Sequence, residues 1–267
     1  MIEKVEEYSS LGGSSMSGNF TSEEAIKRWD AFADQYAQNH GADGDLHKEV
    51  LLNPTLLELL GEVRGKKVLD AGCGEGYLSR KLAILGANVT AIDSSPRMLE
   101  IAKDRTPDHL PVKYAHGSCE DLHDFEDGCF DMIVSNMVIH DLANYDLAFT
   151  EMYRLLGHGG TFIFSILHPC FITPNSGWER SSTGEKLHWN VDRYFHEGAY
   201  EQPGLGDKEK MLFFHRTLTS YINTLLKTGF VLEGLVEPKP SEEMIRKYPS
   251  FKEDDRCADF IIFQVKK

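Results

Sequence analysis

The sequence predicts an α/β fold, with a doubly wound, mostly parallel sheet of seven strands. Three observations lead there. Short apolar strand patterns alternate with helical periods between Lys67 and Ile166, as in chains of β-α-β units. The first strand runs straight into a glycine-rich turn. After a long irregular stretch, a helix and two more strand patterns follow, which brings the strand count to seven. Strand–helix–strand connections of this kind are right-handed and give parallel neighbours.

The elements follow in chain order. Ser9 to Ser22 is rich in serine and glycine and is expected to be flexible. Residues 1–22 are therefore read as a flexible N-terminus and residues 23–267 as one domain, with residues 23–62 a helical cover. From Glu23 to Tyr36, Ala25, Ile26, Trp29, Phe32, Ala33 and Tyr36 recur at three and four, the spacing of a helix with one buried face. Val50 to Leu60 reads as a second helix, interrupted early by Pro54. Lys67–Ala71 is a short buried strand, Tyr77 to Leu85 a helix with Gly86 as its C′ residue. Val89–Asp93 is the second strand; Pro96 to Lys103 is helical, with Ser94 or Ser95 as cap and proline in the first turn. Val112–Ala115 and Phe130–Ser135 are the third and fourth strands, Leu142 to Leu156 the helix after them, and Gly159-Gly160 turns into a fifth strand, Thr161–Ile166.

Beyond Leu167 the rhythm breaks. His168 to Phe214 carries three prolines and two of the three tryptophans, and a stretch this long and irregular reads as a lid or substrate insertion, bounded at residues 168–216. Leu218 to Lys227 is a helix closed by Gly229, Val231–Val236 a strand, Glu237 to Arg256 polar and surface-like, and Ala258–Val265 the last strand.

Composition narrows the function classes. A formal net charge of −14 argues against a protein whose affinity rests on neutralising phosphates, and against docking on an anionic membrane. No window of about 18 uninterrupted apolar residues suggests a spanning helix. The acidic start Met1-Ile2-Glu3-Lys4 is no secretory signal. The five cysteines are odd in number and form no C-x-x-C pair, which points to a reducing cytoplasm rather than to a disulfide or zinc framework.

The most informative stretch is Val68-Leu-Asp70-Ala-Gly72-Cys73-Gly74-Glu75-Gly76. Its glycines let the backbone turn sharply and pass close under a ligand. The spacing is G-x-G-x-G rather than the G-x-G-x-x-G of a pyrophosphate site, and Asp70 precedes it, so a ligand with an ammonium group suits it better than one with phosphates. Asp93 ends the second strand, where an acid can accept hydrogen bonds from both hydroxyls of a ribose; standing alone it would read as a helix cap.

Taken together, Trp29 to Phe164 resembles the class I S-adenosylmethionine-dependent methyltransferases and their Rossmann-like fold. Besides the glycine turn and Ala91-Ile-Asp93-Ser94, the match includes Gly117-Ser118-Cys119-Glu120-Asp121-Leu122, Phe130-Asp-Met-Ile-Val-Ser-Asn136 and Glu151-Met-Tyr-Arg154-Leu-Leu-Gly-His-Gly159-Gly160. The resemblance implies methyl transfer from S-adenosyl-L-methionine, with S-adenosyl-L-homocysteine as the other product. It implies that Gly72, Cys73 and Gly74 line the methionine part with Asp70 below, that Asp93 holds the ribose, and that Ser94 and Met98 border the adenosine. Ser118, Cys119 and Glu120 match the adenine loop, although the family commonly has Gly-Asp where this chain has Gly117-Ser118. Asn136 and Met137 are placed beside the methyl donor, and Tyr36 matches an aromatic that covers the cofactor or simply packs the helix.

The acceptor is less marked. His140 and His168 follow the fourth and fifth strands and are the candidate bases, with His215 a third histidine of interest; each also reads as a hydrogen-bonded wall residue. Ser135-Asn136-Met137-Val138 lacks the proline run found in nucleic-acid amino methyltransferases of this fold, so nucleic acid is not expected as partner. No metal-ligand spacing appears. Phe171, Trp178, Trp189, Tyr194, Phe195 and Tyr200 are expected to wall a small molecule or to pack the insertion. The stretches Pro169 to Trp189 and His215 to Tyr221 are similar to a bacterial subgroup of small-molecule methyltransferases. The reading is methyl transfer to an oxygen or nitrogen of a small metabolite, with a homodimer as the candidate assembly. Its rivals are an RNA or protein methyltransferase and a catalytically silent cofactor-binding scaffold.

Overall fold

The computed structural model describes residues 14–15, 20–203 and 210–267; most of the expected flexible N-terminus lies outside them. In chain order the elements are β1 (Ser14–Ser15), α1 (Ser22–Gln38), a π-turn (Lys48–Leu52), α2 (Asn53–Leu60), β2 (Lys67–Ala71), α3 (Tyr77–Ile84), β3 (Asn88–Asp93), α4 (Pro96–Arg105), β4 (Val112–His116), β5 (Phe130–Asn136), a 3-10 turn (Ile139–Asp141), α5 (Tyr145–Leu155), β6 (Leu156–Leu167), β7 (Gly177–Arg180), β8 (Lys186–Asn190), β9 (Gly198–Pro203), β10 (Lys210–His215), α6 (Leu218–Thr228), β11 (Val231–Val236), α7 (Glu242–Lys247), a 3-10 turn (Pro249–Lys252) and β12 (Phe260–Lys266).

Seven strands form the expected sheet, in the order β11-β12-β6-β5-β2-β3-β4. The pairs among β6, β5, β2, β3 and β4 are parallel, while β12 runs antiparallel to both β6 and β11. Side chains alternate across the sheet. Val68, Met132, Val134 and Ile163 face a core shared with α2 and α3, and Leu69, Ile133, Phe162 and Phe164 face one shared with α5 and α6. Phe164 and its register partner Phe263 stack with centroids 4.6 Å apart. Because the order reverses between β2 and β5, the carboxyl ends of these two strands open a crevice.

Three elements differ from the sequence expectation, each for a physical reason. Pro54 does not interrupt a helix: it sits in the first turn of α2, where its missing N–H costs nothing, and a π-turn precedes it. The helix expected from Leu142 starts at Tyr145, after the 3-10 turn at Ile139–Asp141. The polar stretch Glu237 to Arg256 contains α7 and a 3-10 turn whose Phe251 is buried against His47, with ring centroids 5.1 Å apart.

The insertion after β6 consists of two antiparallel hairpins, β7-β8 and β9-β10. The β10 residues Leu212 and Phe214 pack with Ala25 of α1, so this hairpin presses α1 toward the crevice. The loop after β4 is tied to α5 by Arg154, whose guanidinium donates to the Phe125 and Leu122 carbonyls at 2.8 and 2.9 Å and to Glu151 and Asp127. Glu151 in turn accepts the Leu122 N–H at 2.9 Å. Arg154→Met strands these carbonyls, and we expect a loss of about 1–3 kcal/mol in unfolding free energy, read from the denaturant midpoint. An unshifted midpoint would show that the clamp is dispensable.

Candidate functional site

At the carboxyl ends of β2, β3 and β5 lies a cavity of about 900 Å³. Its floor is the glycine turn. The Gly72 and Cys73 N–H groups both donate to the Ile92 carbonyl, at 2.9 and 2.8 Å, which fastens the turn to β3. Gly72 has φ +81°, and a Cβ there would lie 2.4 Å from Val138. Gly74 has φ +54° and faces open space, so a ligand can approach its backbone. Gly76, in the left-handed region, starts α3.

Four acids line this cavity: Asp70, Glu75, Asp93 and Asp141. Asp70 is 1% exposed and accepts from the Ser79 hydroxyl at 2.5 Å; burial pushes its carboxyl up to about 7. Asp93 accepts the Gly74 and Ser95 N–H groups, each at 2.8 Å, and burial raises it as well. Glu75 gives one carboxylate oxygen to Arg80 and Arg105, at 2.7 and 3.2 Å, and its Oε1 is buried without a partner. Burial raises Asp141 well above the carboxylate range. The Trp29 indole lowers it somewhat, yet Trp29 Nε1 and Asp141 Oδ1 are not in hydrogen-bond geometry.

A second cavity, of about 430 Å³, lies beyond the first. Trp29, Tyr36, Lys48 and Met137 line both. Its walls are otherwise mostly apolar, with Leu52, Leu167, Phe213 and Phe260, and it includes His140. His140 stacks on Phe213 at 5.7 Å, its Nδ1 is buried without a partner, and burial together with the Arg216 charge pulls its pKa down to about 3. Lys48 is buried, with its ammonium 2.6 Å from Asp45 Oδ2, 3.1 Å from the Tyr36 hydroxyl and 3.2 Å from His40 Nε2. Among the described residues, the four buried side-chain polar atoms without a partner belong to Trp29, Glu75, His140 and Asp141, and all four residues line these two cavities. Buried polar atoms are ordinarily paired, so an orphaned set collected on cavity walls marks where ligand atoms belong.

Met137 sits between the cavities in the left-handed region, φ +64°. Its N–H donates to the Ser165 carbonyl and hydroxyl, both at 3.0 Å. The Ser165 hydroxyl donates to Asn136 Oδ1, Asn136 Nδ2 donates to the Tyr77 hydroxyl, and that hydroxyl to Asn53 Oδ1. The strand end is thus fixed by a relay through β6, α3 and α2.

Of the residues singled out from sequence, Tyr36, Asp70, Gly72, Cys73, Gly74, Asp93, Ser94, Met98, Cys119, Asn136 and Met137 are brought together on the first cavity, and His140 lines the second. Ser118 and Glu120 lie off both walls. Glu120 Oε1 instead accepts the Ser22 hydroxyl and the Asn144 N–H, at 2.5 and 2.8 Å, joining the starts of α1 and α5. Ser118 accepts the Glu120 N–H at 3.2 Å within its own loop. His168 is also off both walls, with Nε2 2.8 Å from Glu237 and Nδ1 accepting the Cys170 N–H; His215 Nε2 lies 2.8 Å from the Tyr194 carbonyl. The six insertion aromatics singled out from sequence, Phe171, Trp178, Trp189, Tyr194, Phe195 and Tyr200, are off both walls: Trp178 meets Trp189 edge to face, and Phe195 is exposed. Sequence reasoning missed Lys48, Glu75, Tyr77, Ser95 and Asp141. Glu75 and Tyr77 adjoin the glycine turn, which was signal enough; Lys48 carried none. Among the described residues, no group of three or more His, Cys, Asp or Glu side chains is placed to hold a metal ion, and no helix is long and apolar enough to cross a membrane.

The methyltransferase-domain family model matches residues 69–164. A solved structure from Listeria monocytogenes, provisionally assigned as an S-adenosylmethionine-dependent methyltransferase, is 35% identical with a TM-score of 0.71, covering 80% of this chain and 95% of that one. The malonyl-[acyl-carrier protein] O-methyltransferase of Pectobacterium atrosepticum is 36% identical over 126 residues, 47% of this chain and 48% of that protein. The ubiquinone biosynthesis O-methyltransferase of Xanthomonas oryzae pv. oryzae is 33% identical over 156 residues, 57% of this chain and 64% of that protein. The matches thus span less than two thirds of either named O-methyltransferase.

The glycine turn generates a direct test. Gly72→Ala combines a left-handed backbone with a clash on Val138. It is expected to destabilise the fold by about 2–4 kcal/mol, and Val138→Ala in the same chain should recover only the steric share. Thermal melts of the single and double variants read both parts; a double variant as stable as the parent would remove the backbone argument.

Proposed function

The chain belongs to the class I S-adenosylmethionine-dependent methyltransferases, and we propose that this enzyme methylates an oxygen or nitrogen atom of a small molecule. When bound, S-adenosylmethionine supplies a methyl group activated on a sulfonium centre. The observation that carries the reading is the pair of adjoining cavities on whose walls the orphaned buried polar atoms collect. The first suits this cofactor, because the buried Asp70 and Asp93 favour a cationic ligand and the open backbone at Gly74 admits one closely. Asp70 and Glu75 would face the ammonium group, Asp93 the ribose hydroxyls, and Ser94, Met98 and Cys119 the adenosine. Tyr36 and Met137 would border the methyl.

The second cavity has mostly apolar walls, which suit a small, largely apolar acceptor and keep water from the transfer. The net charge of −14 opposes phosphate binding. The named relatives transfer to oxygen, which supports an oxygen acceptor. The residues do little covalent chemistry: their work is alignment, which can contribute roughly 7–11 kcal/mol to such a displacement. All five cysteines are free thiols, which suits the cytoplasm as the compartment proposed.

Two outcomes are expected. Offered methyl-labelled S-adenosylmethionine together with small-molecule extract, RNA and protein, the enzyme should place label in the small molecules; label mainly in RNA or protein would overturn the acceptor class. Second, a cation binds best to ionised Asp70, and the free carboxyl titrates at about 7. Below that pH binding must first expel a proton. Calorimetry with S-adenosylhomocysteine should therefore show affinity falling by up to about tenfold per unit below pH 7 and levelling off above it. Asp70→Asn should bind weakly and lose this slope; a flat profile in the parent enzyme would exclude Asp70 from the site.

A further inference from the structure

We propose that His47 is the base of the transfer: from the wall of the inner cavity it takes the proton of the acceptor's hydroxyl or amine, and the carboxyl pair Asp254–Asp259 beside it holds the resulting positive charge. This rests on the methyl-transfer reading above and names a further catalytic residue for it. Asp45, His47, Lys48 and Leu52 all reach the cavity from the π-turn before α2 and the loop leading into it. The His47 ring is buried and fixed against Phe251, with 5.1 Å between centroids and 56° between planes. Three residues after Phe251 the chain brings in Asp254, close enough for the His47 charge to act on its carboxyl. Asp259 arrives from the start of β12. Its carbonyl takes the His168 N–H at 2.8 Å, and the next residue, Phe260, pairs with Leu167 and lines the cavity with it. The Asp254 and Asp259 side chains are hydrogen-bonded to each other, which two carboxyls can manage only by sharing a proton. One negative charge is left on the pair, within reach of the imidazole.

The other titratable groups on this wall are Tyr36, Asp45, Lys48 and His140. Asp45 accepts the Lys48 N–H on one oxygen at 2.8 Å and the Lys48 ammonium on the other at 2.6 Å. That ammonium also donates to the Tyr36 hydroxyl and His40 Nε2, so its three hydrogens are engaged and it has no lone pair to offer. Burial keeps Tyr36 a neutral phenol. His140 faces the opposite balance from His47. Burial and the Arg216 charge both oppose a proton on its ring, and its neighbour Asp141, 3.7 Å from Nε2, is itself kept neutral by burial. His47 has a carboxyl pair with a net negative charge, which favours the imidazolium, on the one side-chain type that ordinarily exchanges its proton near neutral pH. As the acceptor's lone pair forms the new bond to methyl, the methyl–sulfur bond breaks and leaves its electrons on sulfur. The acceptor's proton passes to His47. The sulfonium's positive charge thus ends on the imidazolium, which returns the proton to water before the next turnover.

The test uses the intact enzyme, methyl-labelled S-adenosylmethionine and, as acceptor, the fraction of a small-molecule extract that the enzyme labels fastest. Both are held at saturation, so that the pH dependence of cofactor binding at Asp70 is not read. The turnover rate should fall about tenfold per pH unit on the acid side and level off above it, since only neutral His47 can take a proton. His47→Gln should lower the plateau at least about a hundredfold and abolish the acid limb, with S-adenosylhomocysteine affinity by calorimetry within twofold. The acid limb should persist in His140→Gln. Free imidazole added to His47→Ala should raise its rate at least tenfold, which a purely structural role would not allow; this variant also serves if the Gln variant fails to fold. Asp254→Asn and Asp259→Asn together remove the pair's charge and should move the acid limb down by about one pH unit, whereas either alone leaves one carboxylate and should move it by less than half as much. A parent profile flat on the acid side, an acid limb that survives in His47→Gln, or one lost in His140→Gln instead would overturn His47 as the base and leave methyl transfer standing. No label from any fraction would overturn the transfer reading and this inference with it.

Discussion

The crevice is governed by the burial of acids. Asp70, Glu75, Asp93 and Asp141 line one cavity, and bringing carboxyls together away from water disfavours their ionised forms. The fold answers locally rather than by neutralising each acid with a partner. Asp93 takes two backbone N–H groups, Asp70 one hydroxyl, and Glu75 two guanidinium groups on a single oxygen. What remains unanswered is the cavity side of the cluster, where Glu75 Oε1 and Asp141 Oδ1 are left unpaired. A cationic ligand favours the ionised forms of Asp70 and Asp93, which burial disfavours, and this ties cofactor binding to the electrostatic state of the free protein.

The same crevice needs rigid backbone at two strand ends. After β2 this is met by glycines that occupy the left-handed region and by two N–H groups on the Ile92 carbonyl. After β5 it is met without glycine. Met137 holds φ +64° because Ser165 takes its N–H, and Ser165 is fixed in turn by Asn136 and Tyr77. Strain of this kind persists where surrounding contacts over-determine it, and here it turns the Met137 side chain into the boundary between the two cavities.

How legible this was depended on whether the signal was local. The strands from β2 to β6 and the glycine turn could be read because each is a contiguous run with its own period or φ requirement. Asp93 was readable because its role follows from standing at the end of a strand beside that turn. Lys48 was not: its burial comes from Tyr36, His40 and Asp45 closing around it, and nothing in Leu46-His47-Lys48-Glu49 signals that. His140 and His168 looked equivalent from sequence, each just beyond a strand. Only the fold separates them, since Glu237 and the Cys170 N–H occupy both nitrogens of His168 while His140 keeps Nδ1 unpaired in a cavity wall. The six insertion aromatics singled out misled for a related reason: abundance of rings says nothing about which wall they build, and another insertion ring, Phe213 of β10, lines the inner cavity together with Phe260 of β12.

The net charge of −14 conceals the distribution that matters. Most acids are surface groups with no bearing on ligands, and the buried Lys48 ammonium, on the wall common to both cavities, is already met by the Asp45 carboxylate. On the cofactor side the balance is different: Asp70 and Asp93 are held there by a hydroxyl and by backbone N–H groups, which are neutral donors. Opposite charges act on each other more strongly in a poorly solvated site than they would in water. The sign of these few buried groups, and not the total charge, therefore suits the crevice to a cationic methyl donor.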